Sequence, residues 1–266
     1  MNKQENSFIS IRQITGCLIA LIFSVSTLAN HHDSDSQAPN ADNGLVLVAG
    51  ATGRTGRETV SELLSKGFRV RAFVRNLDSA REKLPATIEF AEGDVRNRES
   101  IDAALNGVSA VISTIGAGRG DPSNGPEFVD YGGVKNLVEA AADAGAAQFV
   151  LVSSRGVTQI KQPLNKMFGN ILIWKYLGEE AVRNSGIAYT VIRPGRLTDE
   201  PGGEYALDFL QGDDDTESRI PRADLARAVV AALSMPEASN KTFELAGREN
   251  PAPASLRDQF AALEVD

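Results

Sequence analysis

Beyond residue 17 the chain has no cysteine, and its only two histidines, His31 and His32, stand side by side in a polar tail. These absences remove whole classes of chemistry from the body of the protein. Without thiols there is no disulfide framework, no cysteine-ligated zinc and no cysteine nucleophile. Without histidine, Ser–His–Asp hydrolysis and most transition-metal sites are excluded, so no metal ligand set is expected. An excess of basic residues is lacking too. The formal net charge is −8, which argues against affinity for nucleic-acid phosphates and, for the body, against anionic membranes. Long apolar runs are also missing: Cys17–Ala29 falls short of the roughly 20 residues that span a bilayer.

What the N-terminus does contain is an ordered pattern. Lys3 and Arg12 precede that apolar run, and Thr27 and Ala29 place small side chains where a signal peptidase would cut before Asn30. Basic, apolar, then small is the order of a secretory signal peptide. Residues 1–29 are expected to be a signal peptide or an N-terminal anchor, making the protein periplasmic, secreted or membrane-anchored. A cytoplasmic body stays open. Membrane contact would come only through this segment, if it is uncleaved. Residues 30–43 are polar without an apolar period and read as a disordered linker. Residues 44–266 suffice for one α/β domain with a sizeable core.

Within that body, short apolar runs alternate with helical patterns. Strands are expected at 45–49, 68–74, 87–91, 109–114, 149–154, 188–193 and 241–246. Helices are expected near 55–66, 99–106, 127–144, 170–185 and 222–234. The strands are rich in Val and Ile and do not strictly alternate, as in a parallel sheet covered on both faces. Regular β–α alternation implies right-handed crossovers, hence a Rossmann-type doubly wound, mostly parallel sheet in a single domain.

The first strand runs into "GATGRTG", with Gly50, Gly53 and Gly56 at G-x-x-G-x-x-G spacing. Glycines there allow a tight turn, close backbone approach to a pyrophosphate and close packing of helix on strand. The helix start then offers free N–H groups to the phosphates. Thr52, Arg54 and Thr55 complete the expected cradle. The second strand ends "VRAFVRN" with no acid before Asp78. NAD sites usually place Asp or Glu there for the ribose, whereas a cation suits the 2′-phosphate of NADP. Arg75, with Arg54 as a second guanidinium, therefore favours NADP, with NAD possible. Asp94 and Val95 of "GDVRN" are placed for the adenine. Thr114 and Gly116 of "STIGAG" lie beside the expected cofactor path.

Together "GATGRTG", "GDVRN", "VDYGGVKNLVEAA", "FVLVSS", "YTVIRPGRLTDE" and "IPRADLARAV" resemble the atypical short-chain dehydrogenase/reductases, specifically the NAD(P)-binding NmrA-like branch, from about Leu45 to Gly247. The segment 165–195 is similar to plant and cyanobacterial single-domain members. The resemblance implies a Rossmann fold, NADP(H) more often than NAD(H), and widely varied substrates.

Catalytic members carry Tyr-x-x-x-Lys on the helix after the fifth strand, where Tyr transfers a proton and Lys lowers its pKa and holds the ribose. The lysine position fits Lys175, but four residues earlier stands Ile171, which has no proton to give. "YGGVK" (131–135) matches by letter yet lies on the preceding helix. Tyr176 points about 100° away around its helix, and Tyr189 lies in a strand. The expected nicotinamide end thus retains Lys175, Ser153 or Ser154, and the Arg193–Pro194–Gly195 loop. Segments 116–128 and 198–218 are candidates for the substrate side, the latter as an acidic lid with Asp213–Asp215 as a solvated turn.

Two readings follow. One is an NADP(H)-dependent oxidoreductase that passes hydride to an unknown flavin-, quinone- or carbonyl-like small molecule, using Lys175 and Ser153. The other is a non-catalytic NAD(P)-binding sensor or scaffold that acts through a protein partner.

Overall fold

Strand β1 (Leu45–Ala49) is buried along its whole length and shows how the domain is layered. Val46 and Val48 face one apolar core, whereas Leu45, Leu47 and Ala49 face another. Side chains alternate across a strand, so a run that is apolar at every position must be covered on both sides. The first core includes Val60 and Leu63 of α1 (Arg54–Ser65) and Leu225 and Val229 of α7 (Arg222–Ser234). The second includes Ile101 of α3 (Arg98–Ala104), Leu137 and Val138 of α4 (Val134–Asp143), and Val182 of α6 (Ile171–Arg183). Each fully buried Leu or Val contributes about 1.5–3 kcal/mol.

The computed structural model describes residues 43–118, 121–213, 218–248 and 255–266, all within one compact unit. The expected leader, and the linker up to residue 42, lie outside these. The remaining strands are β2 (Arg69–Val74), β3 (Glu89–Glu92), β4 (Val108–Ser113), β5 (Gln148–Val152), β6 (Ala188–Pro194), β7 (Arg196–Thr198), β8 (Ala206–Leu210), β9 (Arg219–Pro221) and β10 (Lys241–Arg248). The main sheet runs β3-β2-β1-β4-β5-β6-β10-β8, parallel except for β8 against β10. Strands β7 and β9 form a separate parallel pair. This is the Rossmann-type, doubly wound sheet expected.

Departures fall at short elements and in one long segment. Helices α2 (Leu77–Arg81), α5 (Pro163–Met167) and α8 (Leu256–Ala262) are too short to show a period. The expected helix 127–144 divides into a π-helical stretch, Glu127–Gly133, followed by α4. The acidic segment read as a lid instead supplies β8 to the sheet edge. Phe209 of β8 stacks on Phe243 at 4.5 Å and meets Phe260 edge-on at 4.8 Å, which holds the strand against the core. Among the described residues no helix is long and apolar enough to cross a membrane, and no group of three acidic, His or Cys side chains is placed to hold a metal.

Candidate functional site

The strand order reverses between β2-β1 and β1-β4, which opens a crevice beyond their C-terminal ends, the usual ligand position in such sheets. Gly50 turns the chain there with φ at +84°, a conformation that favours glycine. A Cβ at Gly50 would lie 2.8 Å from the Thr114 hydroxyl, and one at Gly56 only 2.1 Å from the Gly50 carbonyl oxygen. The loop therefore folds tightly onto itself, and its Gly53 N–H donates to Gly50 O at 2.9 Å. Helix α1 starts with no side-chain cap and no acid in its first turn. Its positive end and free N–H groups fit a pyrophosphate. Thr114 closes the other wall, donating from its N–H and its hydroxyl to Ala49 O at 2.9 and 3.1 Å.

Gly50, Thr52, Gly53, Arg75, Asp94, Val95, Thr114 and Gly116 converge on one cavity of about 210 Å³, along with Phe73, Gly93 and Asn124. At the end of β2 no acid faces this space. Asn76 is instead consumed in capping α2, accepting from Ser79 N–H at 2.8 Å. The Arg75 guanidinium is exposed, 3.4 Å from the Asn124 side-chain oxygen. Asp94 is gripped by Arg96 at 2.9 and 2.7 Å, and that pairing lowers its pKa from the ordinary carboxylate value. The cavity thus contains a firmly ionised carboxylate and an exposed cation.

Arg54, Thr55 and Gly56 lie outside the cavity wall. Arg54 is turned to Asp199 at 2.8 Å, and Asp199 also accepts from Arg222 at 2.6 Å. In this arrangement Arg54 is engaged by Asp199, whereas Arg75 lines the cavity. The pair of Arg54 with Asp199 is solvent-exposed on both sides and therefore weak.

A second cavity of about 800 Å³ adjoins the first, and Gly118 belongs to the walls of both. Its apolar lining includes Leu164, Met167, Ile171 and Leu172, and its polar groups include Ser154 and Lys175. Ile171 and Lys175, one turn apart on α6, thus face the same space. Two left-handed residues, Gly169 and Asn170 (φ +59° and +60°), turn the chain into α6. Buried Asn165 caps that helix, its side-chain oxygen accepting from Leu172 N–H at 2.9 Å. Lys175 Nζ lies 2.7 Å from Oδ1 of Asp130, whose side chain is wholly buried. Asp130 belongs to no motif with a chemical signature; only its place in "VDYGG" marks it in the sequence.

Ser153 is placed differently from the expectation. It is buried and donates to Glu179 at 2.5 Å, whereas Ser154 lines the larger cavity. Successive residues leaving a strand point to opposite sides, so only one of this pair can face the crevice. Glu179 also binds Arg193 at 2.7 Å, and Arg193 reaches Glu244 at 3.0 Å. Arg193 is thereby locked in a buried ion cluster and does not line either cavity. Burial raises the pKa of Glu244 even though Arg193 opposes the shift.

Among the described residues no tyrosine lines either cavity. Tyr131 stacks on Trp174 at 6.1 Å, and the Tyr176 ring lies 5.8 Å beneath Arg183. Tyr189 donates its hydroxyl to Asp266 at 3.0 Å, and burial with that carboxylate pushes its pKa up to about 12. The described part of segment 198–218 lines neither cavity.

Residues 50–236 match the model of a family described as NAD(P)H-binding. An uncharacterised chloroplastic protein of Arabidopsis thaliana is 40% identical over 243 residues, covering 82% of this chain and 74% of that one. Protein TIC 62 of Pisum sativum, also chloroplastic, is 39% identical over 59% of this chain but only 33% of its own length. Sanguinarine reductase of Eschscholzia californica is 33% identical, covering 82% of this chain and 94% of that enzyme. A solved structure from Bacillus halodurans, assigned to the NAD-dependent epimerase/dehydratases, superimposes with a TM-score of 0.71 at 25% identity, covering 83% of this chain and all of the other. The chloroplastic relatives overturn the expectation that the protein is periplasmic, secreted or membrane-anchored, and with it the secretory reading of residues 1–29. The fold, the glycine cradle and these kinships agree: the chain belongs to the NAD(P)H-binding family, as a Rossmann-fold member of the atypical short-chain dehydrogenase/reductases.

Proposed function

We propose that this chain is an NADP(H)-dependent oxidoreductase that reduces a flavin-, quinone- or carbonyl-like conjugated molecule held in the larger cavity, without a tyrosine acid. The observation that carries this reading is the shared wall at Gly118. It joins the cradle-side cavity to a largely apolar space, lined by Ile171, in which the polar side chains are Lys175, Ser154 and Asp121. NADPH, when bound, supplies the hydride. Lys175 holds ribose hydroxyls at the junction, Ser154 orients a polar atom of the acceptor, and the apolar lining excludes bulk water. Ile171 can give no proton, so the reading favours acceptors whose reduced form takes its proton from water. Arg75, with no acid at the end of β2, supports NADP over NAD. Kinship with sanguinarine reductase supports reduction of a conjugated molecule, and the order of motifs supports the NmrA-like branch.

The test is NADPH oxidation by the purified full chain with FMN, a water-soluble naphthoquinone and small aldehydes. Turnover above background with one of them is expected, and Ser154→Ala should slow it while Ser153→Ala chiefly lowers thermal stability. Tight NADPH binding with no turnover across the panel would overturn the enzymatic reading. That outcome would favour a nucleotide-binding module acting through a protein partner. Ile160 and Met167, 73% and 67% exposed near the larger cavity, supply apolar surface for such a partner. The chloroplastic relatives support a chloroplast address, and a fusion of the N-terminal residues to a fluorescent protein should accumulate in plastids; secretion of that fusion would contradict it.

A further inference from the structure

Asp130 is buried with no exposure of its side chain, yet a carboxylate is costly to bury unless each oxygen is satisfied. Its two oxygens face different elements. Oδ1 lies 2.7 Å from Nζ of Lys175 on α6, and Oδ2 accepts from the Ala117 N–H at 2.9 Å. Ala117 lines the larger cavity, and its neighbours Gly116 and Gly118 line the smaller one. Asp130 therefore ties the lysine to the strip of backbone that separates the two spaces.

Three features of the chain bring this about. Asp130 belongs to the π-helical stretch Glu127–Gly133, whose wider turn is a local irregularity of the kind found at functional sites. Gly178 lets α6 approach directly, since a Cβ there would fall 2.4 Å from the Asp130 carbonyl oxygen. Gly133 likewise brings the stretch against Val95, with a Cβ there 2.6 Å from its methyl carbon. Asn136 holds the same junction by donating to Val95 O at 2.9 Å. Any larger residue at Gly178 would push α6, and Lys175 with it, away from the wall.

We infer that Asp130 is the positioning residue of the site, holding the Lys175 ammonium at the junction where the cofactor ribose must pass. This inference rests on the reading of Lys175 as a ribose-holding residue. The lysine keeps donor capacity beside its ion pair with Oδ1, because an ammonium carries three N–H groups. Asp130 fixes the direction in which the others point. It takes the orienting part that a catalytic tyrosine would share elsewhere, but does so from behind the lysine and out of contact with acceptor or cofactor.

A double-mutant cycle in the full chain tests this, using Asp130→Asn, Lys175→Met and both together. NADPH affinity is read by fluorescence titration, turnover with a naphthoquinone is read separately, and thermal unfolding is followed throughout. Each single change should weaken NADPH binding about tenfold, and the double variant should be no weaker than Lys175→Met, since interacting residues are not additive. With the quinone, kcat should fall in the same non-additive way while the KM for quinone holds. Losses that multiply, or an Asp130→Asn variant that lowers only the melting temperature, would show a merely structural carboxylate. If Asp130→Asn itself fails to fold, Gly178→Ala displaces the same pair from the other side and should reproduce the weakened affinity; unchanged affinity in it overturns the inference. A non-additive binding cycle without wild-type turnover would defeat the oxidoreductase reading and leave Asp130's role in place. Wild-type protein that does not bind NADPH at all would defeat both.

Discussion

The two halves of the crevice are built from different materials. On the β1–α1 side the cradle is mostly backbone: a left-handed glycine, a loop folded onto its own carbonyl and the uncapped end of a helix. On the β5–α6 side it is mostly side chain: a buried Asp–Lys pair, one serine facing the cavity and another drawn into an ion cluster around Glu179 and Arg193. Backbone sites constrain sequence through what cannot be added, namely a Cβ. Side-chain sites constrain it through what must be present, and Ile171, one turn before Lys175, carries no group that can give a proton. Holding a nucleotide and using it are therefore separable properties of this molecule.

The sharpest way to break the contrast is Arg193→Ala. It strips the buried Glu179 and Glu244 of their shared cation, and removing one partner from such a cluster costs about 3–5 kcal/mol. Chemical denaturation should show that loss, while NADPH affinity of the folded fraction stays unchanged. A matching drop in affinity would mean the cluster belongs to the cofactor side after all. Gly56→Ala should do the reverse. Its new methyl meets the Gly50 carbonyl, and the strain of about 1–3 kcal/mol should appear mainly as lost NADPH binding.

Arg75→Ala sharpens the comparison within the cradle. NADPH should bind about tenfold more weakly, or about 1.4 kcal/mol, while NADH binding stays the same; equal losses for both would remove Arg75 as reader of the 2′-phosphate. The smallest effect is expected from Asp94→Asn. Arg96 lowers the Asp94 pKa in the folded state, so the pair adds stability above the unfolded value of 3.8, and that stability is lost as pH falls through the lowered one. The pair is partly exposed, so solvent screens it and its contribution is small. Wild type and variant should differ slightly in melting temperature at pH 7 and converge in strong acid; a gap that widens on acidification would contradict this.

The legibility of the molecule follows the same division. β1, β2, β4, β5, β6 and β10 are readable because most of their positions are buried and each carries a local cluster of apolar residues. β8 is not, since the burial of its Leu207 and Phe209 depends on distant parts of the chain, with Phe209 meeting Phe243 and Phe260. The glycine loop is readable because its residues are adjacent in sequence. Asp130 is not, as its partners lie 13 and 45 positions away, at Ala117 and Lys175. Choosing between Ser153 and Ser154 needs the direction of one side chain, which no spacing conveys.

What the linear order of residues determined was the parallel sheet and the glycine cradle, because each is expressed in local periodicity or in a short motif. Only the folded chain decided which serine lines the larger cavity, that Arg54 turns to Asp199, and that Lys175 has a buried counter-ion. Those outcomes depend on distances between segments that are far apart in sequence, and such distances exist only once the helices have packed against the sheet.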